Sequence, residues 1–258
     1  RSTLFPYTTL FRSGRRKHLN HIGIILCLIG GLSFHSCSKY ENDTYGRGNS
    51  SDGSSFIELG TITAIGGNKE ITVEGDTYGT SHIANSRMLI QQKIDSIGQR
   101  VLYLYRIDAT GKHHNGKYIH IYEIQKVLTK QFLVTAESGH LGNDPIGIVN
   151  AYVSANHLNI NYSIYTGFMG GKAVAHDIHA AMKPDAVLTP EGYLPVELFH
   201  HVNGDESGKE SQRWASFALS SARPLYGSKT KGFLLTYPTS SGKAVRKIDI
   251  KPNTSQTP

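Results

Sequence analysis

From Phe56 onward apolar and polar positions alternate with a period of two, the spacing of a half-buried strand. Leu158, Ile160, Tyr162 and Ile164 fall in one phase while Asn159, Asn161 and Ser163 fall in the other. Val101, Tyr103, Tyr105 and Ile107 repeat the pattern. The same reading predicts strands over Phe56–Ile65, Glu70–Glu74, Tyr118–Leu128, Ala173–Ala180, Tyr193–His201, Arg213–Leu219, Gly232–Tyr237 and Ala244–Ile250. Turn formers separate them at Gly66-Gly67-Asn68, Gly111-Lys112, Asn203-Gly204-Asp205 and Ser241-Gly242. One segment departs from the rule: Ile90, Ile94 and Ile97 have helical spacing, which predicts a short helix over Ser86–Ile97. So many strands exceed one small sheet, so the chain is expected to be all-β, with two domains of roughly 75 and 110 residues. The seam falls near Thr129 to Gly147, where ESGHLGNDP concentrates turn formers.

The residues ahead of the strands have a different grammar. TLFPYTTLFRS, Thr3 to Ser13, reads as the in-frame translation of a synthetic sequencing adapter, so residues 1–13 are set aside from the fold. Residues 14–36 read as an export signal: Arg15, Arg16 and Lys17 precede a 13-residue apolar run, Ile22 to Phe34. A helix of that length spans about 20 Å, against a bilayer core ~30 Å thick, which argues for a cleaved signal over a permanent span. The run closes on Leu32-Ser33-Phe34-His35-Ser36-Cys37, a small residue directly before a cysteine, as lipoprotein signals require; His35 is an unusual occupant of its position. Cys37 is the expected lipid attachment site. Residues 37–55, which include SKYENDTYGRGNSSDGSS without Val, Leu or Ile, are expected to be a flexible tether that spans roughly 20–25 Å. Residues 253–258 are expected to be a disordered tail.

Removing the leader changes the electrostatics. Residues 1–36 hold Arg1, Arg12, Arg15, Arg16 and Lys17 and no acid, so the net charge falls from +7 to +2. The basicity that suggests a nucleic-acid partner therefore belongs to the leader, and no nucleic acid is expected. Of the two cysteines, Cys27 lies in the apolar run and Cys37 carries lipid, which leaves no thiol for a disulfide, a thiolate nucleophile or a zinc cluster.

Little in the remaining sequence suggests catalysis. Histidines cluster at His113-His114, at His176-Asp177-Ile178-His179 and at His200-His201. On a strand His179 shares a face with Asp177, while His176 points the other way with Val174 and Ile178, so no run offers three ligands on one face. His176 and His200 read as satisfied core histidines, and His113 and His114 as a solvated turn. No Ser stands in a Gly-x-Ser-x-Gly elbow. Asp205-Glu206 reads as a charged hairpin tip, since its loop lacks the spaced oxygens of a calcium site. Gly66, Gly67, Gly170 and Gly171 precede strands and form no phosphate cradle. No catalytic residue, metal or cofactor is expected.

The lipobox, the tether, QRVLYLY and IYEIQKVLTK within Val101 to Thr129, LGNDPI at Leu141 to Ile146, HLNINYSIYTG at His157 to Gly167 and WASFALS at Trp214 to Ser220 together resemble the NigD-like lipoproteins over residues 37–250. The resemblance implies an N-terminal OB-type barrel, here residues 56–130, followed by a C-terminal β-sandwich, residues 131–252. It also implies a bacteriocin-associated setting, but no catalytic or binding residues that can be carried over. An OB barrel can bind oligosaccharides or oligonucleotides across one face, and Tyr103, Tyr105, Tyr118 and Tyr122 lie on strands that could build it. Each pair of tyrosines is explained equally by barrel core or by an outer girdle, with packing favoured. The expectation is a non-enzymatic lipoprotein of the cell envelope, in the outer membrane of a Gram-negative bacterium. Its partner is another envelope or secreted protein, and the alternative is a glycan. Exposure of the tyrosines and of Trp214 discriminates between these.

Overall fold

In the computed structural model the described residues are 55–250, apart from 68–69, 109–116, 155, 170–171 and 206–207. All of them lie in one compact unit. The adapter, signal, lipidation, tether and tail expectations, and those for His113, His114, Glu206, Gly170 and Gly171, fall outside the described residues.

The first half supplies β1 (Phe56–Ile65), β2 (Ile71–Gly75), β3 (Gly79–Ile83), a one-turn helix α1 (Arg87–Gln91), β4 (Arg100–Ile107) and β5 (Tyr118–Lys126). β1 is long enough to pair with β4 through Phe56 to Thr61 and with β2 through Gly60 to Ile65, bending at a bulge between Ile62 and Ala64. Its doubled pairing, and a parallel contact of β3 with β5, close a five-stranded barrel in the order β1-β2-β3-β5-β4. Gly60 is required inside it, because a Cβ there would lie 2.8 Å from the Glu74 carbonyl. Inward Ile62, Val73, Val101, Tyr103, Tyr105 and Ile121 fill the barrel.

The helix is shorter than the isoleucine spacing predicts. Lys93 turns into the left-handed region at φ 58° and Gly98 follows at φ 85°, which ends the helical run. Leu89 and Ile94 plug the barrel end, while Ile97 stands 67% exposed.

The second half begins without a linker. Val127 alone separates β5 from β6 (Leu128–Gln131), and Phe132 separates β6 from β7 (Leu133–Val134). β8 (Gly147–Val153), β9 (His157–Thr166), the short hairpin β10 (Phe168–Met169) and β11 (Lys172–Ala173), β12 (Asp177–Met182), β13 (Tyr193–His201), β14 (Lys209–Ala218), β15 (Gly232–Thr239) and β16 (Gly242–Asp249) follow. They form a five-stranded sheet, β16-β15-β13-β12-β7, packed on a four-stranded sheet, β6-β14-β9-β8. The chain steps from one sheet to the other at Phe132, whose ring is buried against Phe233. On the opposite side Arg246 donates to the carbonyls of Ile148 and Val149, where a bulge breaks the alternation of β8. The two sheets are thus tied to each other on both sides, by the chain itself at Phe132 and by the Arg246 side chain.

Barrel and sandwich meet on a buried ion pair. Arg100 donates from Nη1 and Nη2 to Asp76 at 2.8 and 2.6 Å, to Thr61 at 3.1 Å and across the junction to Asn159 at 2.8 Å. Tyr152 donates its hydroxyl to the same Asp76 at 2.9 Å, and Ser216 donates to Asn159 at 2.7 Å. The two side chains are 1% and 8% exposed, a burial that is stable only because each lone pair and N–H finds a partner.

Candidate functional site

Of the polar and aromatic groupings among the described residues, the two internal ones, around His200 and around Glu58, have no group left over for a ligand. At the far end of the sandwich, β13 carries His200 and the residue before β12 is His176. His200 Nδ1 faces the carbonyls of Pro145 and Asp144 at 3.0 and 3.3 Å, and its Nε2 faces His176 Nδ1 at 2.8 Å. His176 Nε2 in turn faces Asp205 Oδ2 at 3.0 Å, which also accepts the Gly167 N–H at 2.6 Å. Burial holds His200 below the ordinary imidazole range, so it is neutral and donates through Nδ1 to the carbonyls. The row has acceptors at both ends and three bonds on two rings, so the last bond needs a proton shared by His176 and Asp205. No ring nitrogen is left over for a substrate proton or a metal ion. Among the described residues no group of three or more His, Cys, Asp or Glu could hold a metal.

This cluster also explains LGNDPI. Gly142, at φ 91°, lets the chain pass against the His200 carbonyl, Asp144 N–H donates to that carbonyl at 2.8 Å, and the Asp144 carboxylate accepts the Val202 N–H at 2.8 Å. The hexapeptide is thus a collar around His200. The histidines fit the core reading made from sequence, but Asp205 does not fit the solvated tip predicted for it. Its side chain is 5% exposed and turned inward, because His176 and Gly167 supply donors there. Asp177 and His179 lie on the outer side of β12, within reach of Lys130.

Inside the barrel Glu58 accepts from the backbone N–H groups of Thr77 and Tyr78 at 2.6 and 2.8 Å and from the hydroxyls of Tyr103 and Tyr105 at 3.1 and 3.2 Å. Burial and the adjacent carboxylate push both phenols well above their ordinary range, so they remain donors. Four donors saturate the carboxylate, which makes it a pin for the turn after β2. Sequence pattern carried a signal for it: an acid in the inward phase with Gly60 and Ile62.

The tyrosine pairs separate. Tyr103 and Tyr105 are core, 2% and 1% exposed, whereas Tyr118 and Tyr122 lie on the outside of β5. Tyr122 is pushed out by a bulge opposite Leu104 and Tyr105 and is 48% exposed. His82 stacks on Tyr118 at 4.9 Å, His120 lies beside Tyr122 at 5.4 Å, and the Arg106 guanidinium sits 5.5 Å over the Tyr122 ring. Glu123 adds a carboxyl whose pKa is raised by desolvation. Trp214 is half-buried on β14, edge to face with Tyr152 at 6.0 Å.

A closed β-barrel joined through a buried ion pair to a nine-stranded sandwich, with its internal polar clusters saturated, defines an all-β scaffold that presents surfaces. Its sandwich is similar to a known family: residues 129–251 match the model of the NigD-like C-terminal beta sandwich domain, so the NigD-like resemblance seen in the sequence holds. That family is not an enzyme family. No curated protein matches the chain. Solved structures share its fold. A protein of unknown function from Bacteroides vulgatus is 17% identical with a TM-score of 0.61, over 80% of this chain and 95% of that one. A NigD-like immunity protein from Bacteroides caccae is 19% identical with a TM-score of 0.52, over 74% and 90%. A candidate lipoprotein from Bacteroides fragilis is 11% identical with a TM-score of 0.58, over 78% and 99%.

Proposed function

We propose that this chain is a non-catalytic, lipid-anchored protein of the cell envelope, held in the outer membrane through Cys37, that docks another envelope or secreted protein on the outside of its barrel. The observation that carries this reading is the outward row of His82, Tyr118, His120, Tyr122 and Arg106 on β3, β5 and β4. Tyr and Arg are the residue types that dominate protein-binding hot spots, because they bury large area and keep a polar tip. The internal clusters, by contrast, are saturated and have nothing to offer a substrate.

The ring geometry favours a protein over a sugar on this face. Tyr118 gives one face to His82, Tyr122 gives one to Arg106, and His120 is inclined 54° to Tyr122, so the rings do not form one open plane. An immunity role against an incoming protein toxin falls within this reading, in line with the name of the Bacteroides caccae structure. The test is in-cell photo-cross-linking from position 120, beside Tyr122 on the same face, in the native host, with partners identified by mass spectrometry. One discrete protein adduct, lost in a Tyr122→Ala, Arg106→Ala double variant that folds normally, is the expected result. Absence of any protein adduct from this face would refute it.

A further inference from the structure

We propose that the outward face of the four-stranded sheet, beside the barrel, is a binding crevice for an uncharged saccharide. On this face the strands line up residue by residue. Tyr152, Asn159 and Ser216 form one row, which the barrel covers through Asp76 and Arg100. The next outward row is Asn150, Asn161 and Trp214, and Ser163 lies across from Gln212 beyond it.

Two asparagines in the same phase of β9 have opposite fates. Asn159 uses its whole amide: Oδ1 accepts from Arg100 and Ser216, and Nδ2 donates to Asp76 and Ser154. Asn161 is 8% exposed, and its Oδ1 is buried without a hydrogen-bond partner among the described residues. A buried amide oxygen without a partner is costly and calls for an explanation, and a partner that arrives from outside supplies one.

The neighbours of that amide indicate what arrives. Directly across from Asn161 stands Trp214, the chain's one tryptophan, half-buried and in T-shaped contact with Tyr152 at 73°. Four residues further along the same phase Tyr165 is 68% exposed, about 13 Å away along the strand, the reach of a short oligosaccharide. Gly147 keeps this stretch open, since a side chain there would collide with the Ser163 hydroxyl. Asn150, Asn161, Ser163 and Gln212 are uncharged, Glu210 across from Tyr165 is an acid, and the nearby Arg100 and Asp76 neutralise each other. Amides that bind hydroxyls, beside an indole that packs on C–H faces, match a neutral sugar; an anionic ligand would find no unpaired cation in the row. This crevice is separate from the barrel row and can be tested without it.

The single tryptophan is its own reporter. Cellotetraose, maltotetraose, mannotetraose and chitotetraose are titrated into the full chain while Trp214 emission is followed. At least one should give a saturable change with a Kd on the order of 1 mM or tighter. Asn161→Leu should weaken that binding about tenfold or more while its thermal midpoint stays level or rises, because the change removes an unpaired amide oxygen. Trp214→Phe, read by calorimetry, should also lose binding and keep the fold. No response to any of the four sugars, or undiminished binding by either variant, overturns the proposal.

Discussion

Arg100 grips Asp76 within the barrel and, with the same guanidinium, reaches Asn159 in the sandwich, so one side chain is shared by both halves of the molecule. Removing it strands a buried carboxylate. Arg100→Ala should therefore lower unfolding free energy by about 3–5 kcal/mol. An Arg100→Met, Asp76→Leu double variant should lose less than the sum of the single changes, since no charge is then left unpaired. Guanidinium denaturation measures all three. A loss under about 1 kcal/mol, the level of an exposed pair, would contradict the burial described.

Acid should loosen the same junction. Burial, with Arg100 nearby, lowers the His157 pKa from 6.5 to about 4. A base whose folded pKa is depressed takes up its proton more readily when unfolded, so stability is lost as pH falls below 6.5 and through about 4. The urea midpoint should drop across that window, and His157→Gln should flatten the slope. A residual slope should persist, because His200 and His179 are shifted in the same direction.

At the other end of the sandwich, Asp205→Ala leaves the Gly167 N–H and His176 Nε2 facing nothing. A cost of about 1–3 kcal/mol is expected for each buried group left unpaired. Limited proteolysis should then cut between Val202 and Gly208 well before any other internal site. A digestion pattern identical to that of the wild type would show that the clamp does not hold this loop.

Export should leave an acylated N-terminus at Cys37. Intact-mass analysis of membrane fractions reads the lipid directly, and Cys37→Ala should release the protein in soluble form. A wild-type mass without lipid would end the anchor hypothesis.

Strands with strict alternation were legible in advance: β1 is bounded as predicted, and β4, β5, β9 and β13 fall within a few residues of expectation. β3 was not legible because GTSHI is short and mostly polar, and β8 was hidden by a bulge that breaks its period between Ile148 and Asn150. The sites were harder, since they depend on contacts between distant segments. His176, His200 and Asp205 come together from three places in the chain, and no spacing announces them. The difference between Asn159 and Asn161 is likewise invisible in HLNINYSIYTG; it arises because the barrel supplies hydrogen-bond partners to one and none to the Oδ1 of the other.

The one-residue passage at Val127 has a kinetic meaning. Synthesis runs from the N-terminus, so β1 to β5 exist before β9 and β14 do. A young barrel can make every one of its strand pairs, yet Arg100 and Asp76 then lie in water without Asn159, Ser216 and Tyr152. Their dehydration waits for the sandwich and is a late event on the folding path. Interactions formed late act mainly on the rate of coming apart, so the shared ion pair serves as a brake on unfolding more than as a guide to folding.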